Sequence, residues 1–194
     1  MIKVIKYDYK KILTVIAISL ALYLGEYTEA KSLDQSNKLN FFLDELAKNK
    51  NFKKADQLEK KIWALWNKHP SNNKLTERLE LGSELMYQGS YNYALSIFNN
   101  IIRTDPNWSE AWNKRATLLF LMRDYPKSLK DIEKVLNIES RHFGALMGRA
   151  QIYIELKEYQ KALKDLNKAK KMHPTIRGQN LIPEIKKLLK GLSV

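Results

Sequence analysis

Tyr91, Tyr125 and Tyr159 stand 34 residues apart in a chain of 194, and the residues around each recur in the same order. A small residue precedes each tyrosine (Gly82, Ala116, Ala150) and another follows it (Ala94, Ser128, Ala162). A bulky apolar residue comes next (Phe98, Ile132, Leu166), then Ile101, Val135 and Ala169, and Pro106 and Pro174 close two of the units. A fixed period of this length means one supersecondary unit repeated in tandem, because a single unit cannot bury its apolar face and must stack on its neighbours. The spacings within the unit are those of helical stripes, and proline marks where the second helix must stop. The expected fold is all-α, a stack of helix-turn-helix units.

The period divides the chain. Three regular units span 75–108, 109–142 and 143–176. In each, a first helix ends in a tight turn just before the tyrosine, which opens the second helix. Gly89-Ser90 suits the first turn, while Arg123-Asp124 and Lys157-Glu158 replace glycine in the others. Asn107 or Ser109 is placed to cap the helix carrying Trp112. Over 177–194 a capping helix is expected from about 180 to 192, with Leu181, Ile185, Leu188 and Leu189 inward and Lys186, Lys187 and Lys190 outward. Ahead of the regular units, 31–74 reads as a polar leader (31–38) followed by a helical hairpin over 39–69. Phe52, Ala55 and Ile62 repeat the spacing of Tyr91, Ala94 and Ile101, which makes the hairpin a degenerate fourth unit.

Packing explains the recurring small residues: Gly82, Ala116 and Ala150 let the two helices of a unit approach, and Ala94, Ser128 and Ala162 answer from the other side. One pair of positions varies in concert. Arg115 and Arg149 are each followed sixteen residues on by Asp131 and Asp165, whereas the first unit has Leu81 and Ile97 there. Joint replacement of a charge pair by an apolar pair predicts contact, so Arg115–Asp131 and Arg149–Asp165 are expected ion pairs.

The repeated residues resemble the tetratricopeptide repeat (TPR) family over Leu75–Ile176. The stretches Glu110–Thr117 and Arg141–Leu146 further resemble a bacterial exported group of that family with no assigned role. The resemblance implies a right-handed α-solenoid whose first helices line a concave groove that holds a segment of another protein. On that face it places Leu79, Ser83, Met86, Tyr87, Asn113, Lys114, Thr117, Phe120, Leu121, Met147, Gln151, Ile154 and Glu155, with Phe120 and Ile154 equally suited to packing between helices. A subset of the family captures the C-terminal carboxylate of chaperones through lysine, asparagine and arginine. The corresponding places here hold Leu79, Ser83, Lys114, Gly144 and Gly148, so this capture is not expected, and the two glycines suggest room for a bulky group.

At the N-terminus, Lys3, Lys6, Lys10 and Lys11 precede an uncharged run from Ile12 to Leu24, and Thr28 and Ala30 supply small residues after it. That is the layout of a secretory signal, and the run is short of the about 20 residues a spanning helix needs. Residues 1–30 are therefore expected to be a cleaved signal or else a retained anchor. The protein is then exported, periplasmic if cleaved and otherwise inner-membrane anchored facing the periplasm.

The formal net charge is +13, but only 7 of the 34 basic residues are arginine and the surplus is spread towards both ends. Specific readers of bases and phosphates lean on arginine forks, so no nucleic-acid partner is expected. Weak contact with an anionic membrane or wall polymer is the alternative to a protein partner.

Trp63 and Trp112 are assigned to the core, and Trp66 and Trp108 to the surface as a second candidate binding face. His69, His142 and His173 each end a second helix, where they are expected to offset its dipole and bond its last carbonyls. Cysteine is absent, and no metal-ligand spacing, phosphate loop or nucleophile elbow occurs. No catalytic residue, metal or cofactor is expected.

Overall fold

A computed structural model describes residues 9–191, and the described residues form helices joined by short connections, with no strand among them. In chain order these are α1 (Tyr9–Lys48), α2 (Phe52–Asn67), α3 (Asn73–Tyr87), α4 (Tyr91–Thr104), α5 (Ser109–Leu121), α6 (Tyr125–Ile138), α7 (Phe143–Glu155), α8 (Tyr159–Met172) and α9 (Leu181–Gly191). The regular units are α3–α4, α5–α6 and α7–α8, each pair packed on itself and on the next. Each tyrosine of the 34-residue ladder is the first residue of its helix and half-buried under the turn.

The three turns are built alike. Gly89, Arg123 and Lys157 all have positive φ, at 79°, 61° and 58°. The next amide in each case reaches back to close the preceding helix: Ser90 N to Leu85 O at 2.8 Å, Asp124 N to Leu119 O at 2.9 Å and Glu158 N to Tyr153 O at 2.7 Å. That is the Schellman closure, which satisfies carbonyls the helix end would otherwise orphan. Two units reach the left-handed conformation without glycine, at a steric cost of roughly 1–2 kcal/mol each.

Within units, close approach is visible at Gly82, where a Cβ would lie 2.6 Å from Phe98 Cε1. Ala94, Ala116, Ala150 and Ala162 are buried, and Ser128 uses its burial to donate a hydrogen bond to Ala116 O at 2.7 Å. Arg115 holds Asp131 through two bonds, from Nε to Oδ2 at 2.7 Å and from Nη2 to Oδ1 at 2.8 Å. The Arg149–Asp165 pair has the same distances. Arg115 also donates from Nη1 to Asn99 Oδ1 at 2.7 Å. This second bond reaches the preceding unit, so the guanidinium ties a unit to its neighbour as well as to its own second helix.

Several expectations are corrected. The cap of α5 is Trp108, with no side-chain cap bond, rather than Asn107 or Ser109. In α9, Leu181, Ile185 and Leu189 pack inward as expected, but Leu188 is exposed and Ile182 is buried in its stead. Residues 31–38 lie inside α1 and not in a separate leader; from Glu26 to Lys48 no proline or glycine interrupts it, and Asp34 and Lys38 pair across one turn at 2.6 Å. Ala55 and Ile62 are buried as their spacing implies, but Phe52, placed where the ladder puts tyrosine, is 70% exposed.

The hairpin of α1 and α2 takes an unexpected place. It does not continue the stack by packing on α3. Instead α1 packs on α8 and α2 on α5, and Leu43, Leu46, Leu58, Ile62 and Trp66 share a buried cluster with Phe143, Leu146, Ala169 and Ile176. Polar ties run along the seam: Glu59 meets His173 Nε2 at 3.0 Å, Arg141 donates to Asp44 Oδ1 at 2.9 Å and also to Asn40. The first unit is thus left with Leu81 49% exposed, the apolar residue that replaces arginine there.

Lys3 and Lys6 of the expected signal lie outside the described residues, as do the side chains of Lys10 and Lys11. From Tyr9 onward α1 runs unbroken past Ala30, and Leu13, Ile16, Ile18, Leu20, Leu22, Tyr23 and Leu24 are all exposed. Among the described residues no helix is long and apolar enough to cross a membrane.

Candidate partner-binding groove

The first helices of the units, α3, α5 and α7, neighbour one another in sequence order, and their shared face is where the groove residues fall. Helix α2 lies across the lower part of this face, over the N-terminal ends of α5 and α7. Its capping Asn51 accepts from Lys54 N at 3.0 Å, and an apolar stripe of Ala55, Leu58, Ile62 and Trp66 faces inward. Trp63 and Trp66 stand edge to face with ring centroids 5.2 Å apart. The Trp66 indole stacks on the His142 ring at 3.9 Å. Trp63 sits directly on Gly144, where a Cβ would lie 2.6 Å from its Cη2.

Beneath the tryptophans is a buried polar cluster. Glu110 is fully buried, with His142 Nε2 at 3.0 Å, Lys114 Nζ at 3.2 Å and Asn113 Nδ2 at 3.2 Å. Burial alone pushes the Glu110 carboxyl up, but hydrogen bonding from His142, with the charges around it, outweighs burial and holds it below the usual carboxylate range. On its other side His142 Nδ1 accepts from Ala145 N at 3.1 Å, so it caps α7 while Nε2 faces the acid. Glu59 is likewise lowered, chiefly by its hydrogen bond with His173.

The histidines therefore work differently from the expectation. Their rings face carboxylates instead of the last carbonyls of a helix; only the backbone amide of His173 bonds one, Ala169 O at 2.9 Å. His69, His142 and His173 are buried, their Nε2 atoms facing Asp105, Glu110 and Glu59 respectively, and His69 Nδ1 accepts from Ser71 N and Asn72 N in the following turn. The tryptophan assignment is also corrected for Trp66 and Trp108. Trp66 and Trp108 are 4% and 6% exposed, joined by a bond from Trp108 Nε1 to Trp66 O at 2.9 Å, so they form no surface patch. Trp63 and Trp112, expected in the core, are half-buried and pack against it. A lone amphipathic helix with two tryptophans gives no sign of which one turns inward when its docking site lies on another part of the chain.

The expected groove residues divide into three groups. Leu79 and Met86 are buried in the core of the first unit and cannot meet a partner. Asn113 and Lys114 are engaged by Glu110 under the tryptophans, with the Lys114 ammonium also 6.0 Å from the Trp63 ring centroid; Met147 packs with the hairpin cluster. Ser83 is half-buried and donates back to Leu79 O at 2.7 Å. Tyr87, Thr117, Leu121, Gln151 and Glu155 are exposed, and Phe120 and Ile154 are half-buried. What stays open is the upper half of the face, towards the turns. Sequence reasoning missed Glu110 and Glu59, whose partners are 32 and 114 residues away. Among the described residues no cluster of His, Cys, Asp or Glu could hold a metal.

Residues 143–176 match the tetratricopeptide repeat family model, and the two 34-residue units before them fold as the same helix pair with the same turn closure. Residues 143–176 are a tetratricopeptide repeat, and the fold around them is that of TPR domains. A TPR repeat-containing protein of Rhizobium etli is 34% identical over 117 residues, which cover 60% of this chain and 57% of that protein. The chain thus spans little more than half of that relative's length. Among solved structures, the Sgt2 TPR domain of Aspergillus fumigatus aligns with a TM-score of 0.59 at 12% identity, covering 63% of this chain and 83% of that one. The first TPR of Spaghetti (RPAP3), solved with an HSP90 peptide, aligns with a TM-score of 0.58 at 19% identity over 61% and 94%. The TPR2B domain of yeast Sti1, solved in an Hsp70 complex, gives 0.52 at 22% over 60% and 94%. At these identities the likeness is one of fold.

Proposed function

We propose that the protein is a non-catalytic scaffold that holds a segment of another protein against the open upper half of the α5–α7 face. The observation that carries this reading is the arrangement of Thr117, Leu121, Gln151 and Glu155 as an exposed, mixed apolar and polar strip on first helices, the face that would take the segment in a TPR protein. Related domains solved with chaperone peptides support a protein partner. The chemistry argues against chaperone-tail capture here. Of the relevant places, Leu79 is buried, Gly144 and Gly148 have no charge to offer, and Lys114, the one cation, is engaged by Glu110.

The setting we propose is the bacterial cell envelope, with residues 1–30 directing export and either cleaved near Ala30 or retained as an anchor. The exposed apolar surface of α1 from Leu13 to Leu24 supports it, since apolar residues on every side of a helix are suited to an apolar medium rather than to one protein groove. Mass spectrometry of the mature N-terminus separates the two forms.

A partner held by the groove should stay bound in about 0.5 M salt, where exposed charges are screened beyond a few ångströms. Binding lost at that salt would replace the scaffold reading with a basic surface that attracts anionic lipid or wall polymer.

A further inference from the structure

Helix α7 carries two glycines one turn apart, Gly144 and Gly148, and glycine inside a helix is destabilising relative to alanine. The first has a visible reason. A Cβ at Gly144 would collide with the Trp63 ring, so the glycine makes room for the chain's own indole. The second has none within the chain, because a Cβ at Gly148 would meet nothing within 4 Å. Gly148 instead borders a cavity of about 140 Å³ between α5 and α7. Ala116, Phe120, Ile132 and Ile152 give it apolar walls, with Thr117 and Gln151 beside its mouth. An apolar cavity of about 150 Å³ is known to take benzene, so this one is the size of a single ring or branched aliphatic side chain.

We propose that the cavity beside Gly148 is the anchor subsite of the groove, taking one bulky apolar side chain (leucine or phenylalanine) from the bound partner segment. The inference rests on the scaffold reading above and names the chemistry of its partner. Trp63 on Gly144 is the internal precedent: the same face of α7, one turn lower, already receives an aromatic side chain from a segment lying across it. The partner segment then continues the surface that α2 begins, with its anchor residue one helical turn above Trp63. Where the carboxylate-capturing TPR domains would place cations, this chain offers space.

The test uses the full chain labelled with ¹⁵N and three small probes: N-acetyl-leucinamide, N-acetyl-phenylalaninamide and the α-amide of N-acetyl-aspartate, whose side-chain carboxylate is free. Saturable shifts at the Thr117, Gly148 and Gln151 amides are expected with the first two and not with the third. Gly148→Leu, which fills the cavity from within, should weaken them at least tenfold while leaving the thermal midpoint no lower. Should that variant melt early, Gly148→Ala, which adds only a Cβ into open space, gives a smaller weakening in the same direction. The proposal is overturned if the acidic probe binds as well as the apolar ones, if the shifts fall elsewhere, or if Gly148→Leu changes nothing. A concentration-dependent dimer abolished by Gly148→Leu would make a second copy the occupant and overturn it too. Photocrosslinking from Gln151 keeps the two readings apart: a partner captured equally by wild type and Gly148→Leu defeats the anchor subsite and leaves the groove. Apolar probes that bind where no protein is ever captured defeat the groove and leave the cavity.

Discussion

Replacing Asp165 alone should cost far more than replacing it together with Arg149. Asp165 is 4% exposed and Arg149 21% on their side chains, and two bonds of 2.7 and 2.8 Å join them. The hydrogen bond that Arg149 donates to Asp165 raises the affinity of Arg149 for its proton, and a guanidinium stays charged whatever stands opposite. Breaking a buried pair costs about 3–5 kcal/mol. The fifth of Arg149 that keeps contact with water lowers this to about 2–4 kcal/mol for Asp165→Leu, allowing for screening. In a chain of this size that corresponds to a midpoint lower by about 5–15 °C. The double variant Arg149→Leu/Asp165→Ile copies Leu81 and Ile97 of the first unit, and apolar replacement of a buried pair is often neutral, so it should return to within about 1 kcal/mol of wild type. Urea and thermal unfolding of wild type, Arg149→Leu, Asp165→Ile and the double variant form a double-mutant cycle, with Asp165→Ile expected to lose as much as Asp165→Leu. The pairing is refuted if Asp165→Leu melts like wild type, or if the double variant loses the sum of the two singles.

The two glycines of α7 should respond oppositely to alanine. Gly148→Ala gains about 0.5–1 kcal/mol from helix propensity, whereas Gly144→Ala drives a methyl into Trp63 and loses about 1–3 kcal/mol, both read by chemical denaturation. Because the Glu110 carboxyl is held low in the folded chain, its contribution is complete above its unfolded value of about 4.3 and is lost as pH falls below that. Between pH 6 and 3 the midpoint of Glu110→Gln should therefore fall less steeply than that of wild type; equal slopes would mean the carboxylate is not stabilised. Trp66 Nε1 is buried without a partner, and such a donor costs about 1–3 kcal/mol. Trp66→Phe should thus stay within about 1 kcal/mol of wild type while Trp66→Ala loses about 3–5 kcal/mol; similar losses for both would show that the indole nitrogen is satisfied.

The parts legible in the sequence were those repeated in it. Tyr91, Tyr125 and Tyr159 set the helix starts because each unit offers the same local environment, and the joint exchange of Arg149/Asp165 for Leu81/Ile97 exposed a contact that needs no long-range knowledge. The hairpin was legible as two helices, but its address was not. Nothing in Phe52–Asn67 says that it will lie on α5 and α7 instead of α3, and three misreadings follow from that: Trp66 turned inward, Lys114 and Asn113 engaged by Glu110, and Glu59 meeting a histidine 114 residues away. Leu79 and Met86 were misplaced for a different reason. On a first helix the same stripe serves core and groove, and the side toward α4 takes the larger apolar residues.

We propose that a partner segment occupies the upper half of the groove while the chain's own α2 closes the lower half. Site-specific photocrosslinking in cells tests it with a photoreactive residue at Gln151 in one strain and at Lys114 in another. A defined protein adduct is expected from Gln151 and only an internal one, to α2, from Lys114. A partner adduct from Lys114, or none from Gln151, would contradict it.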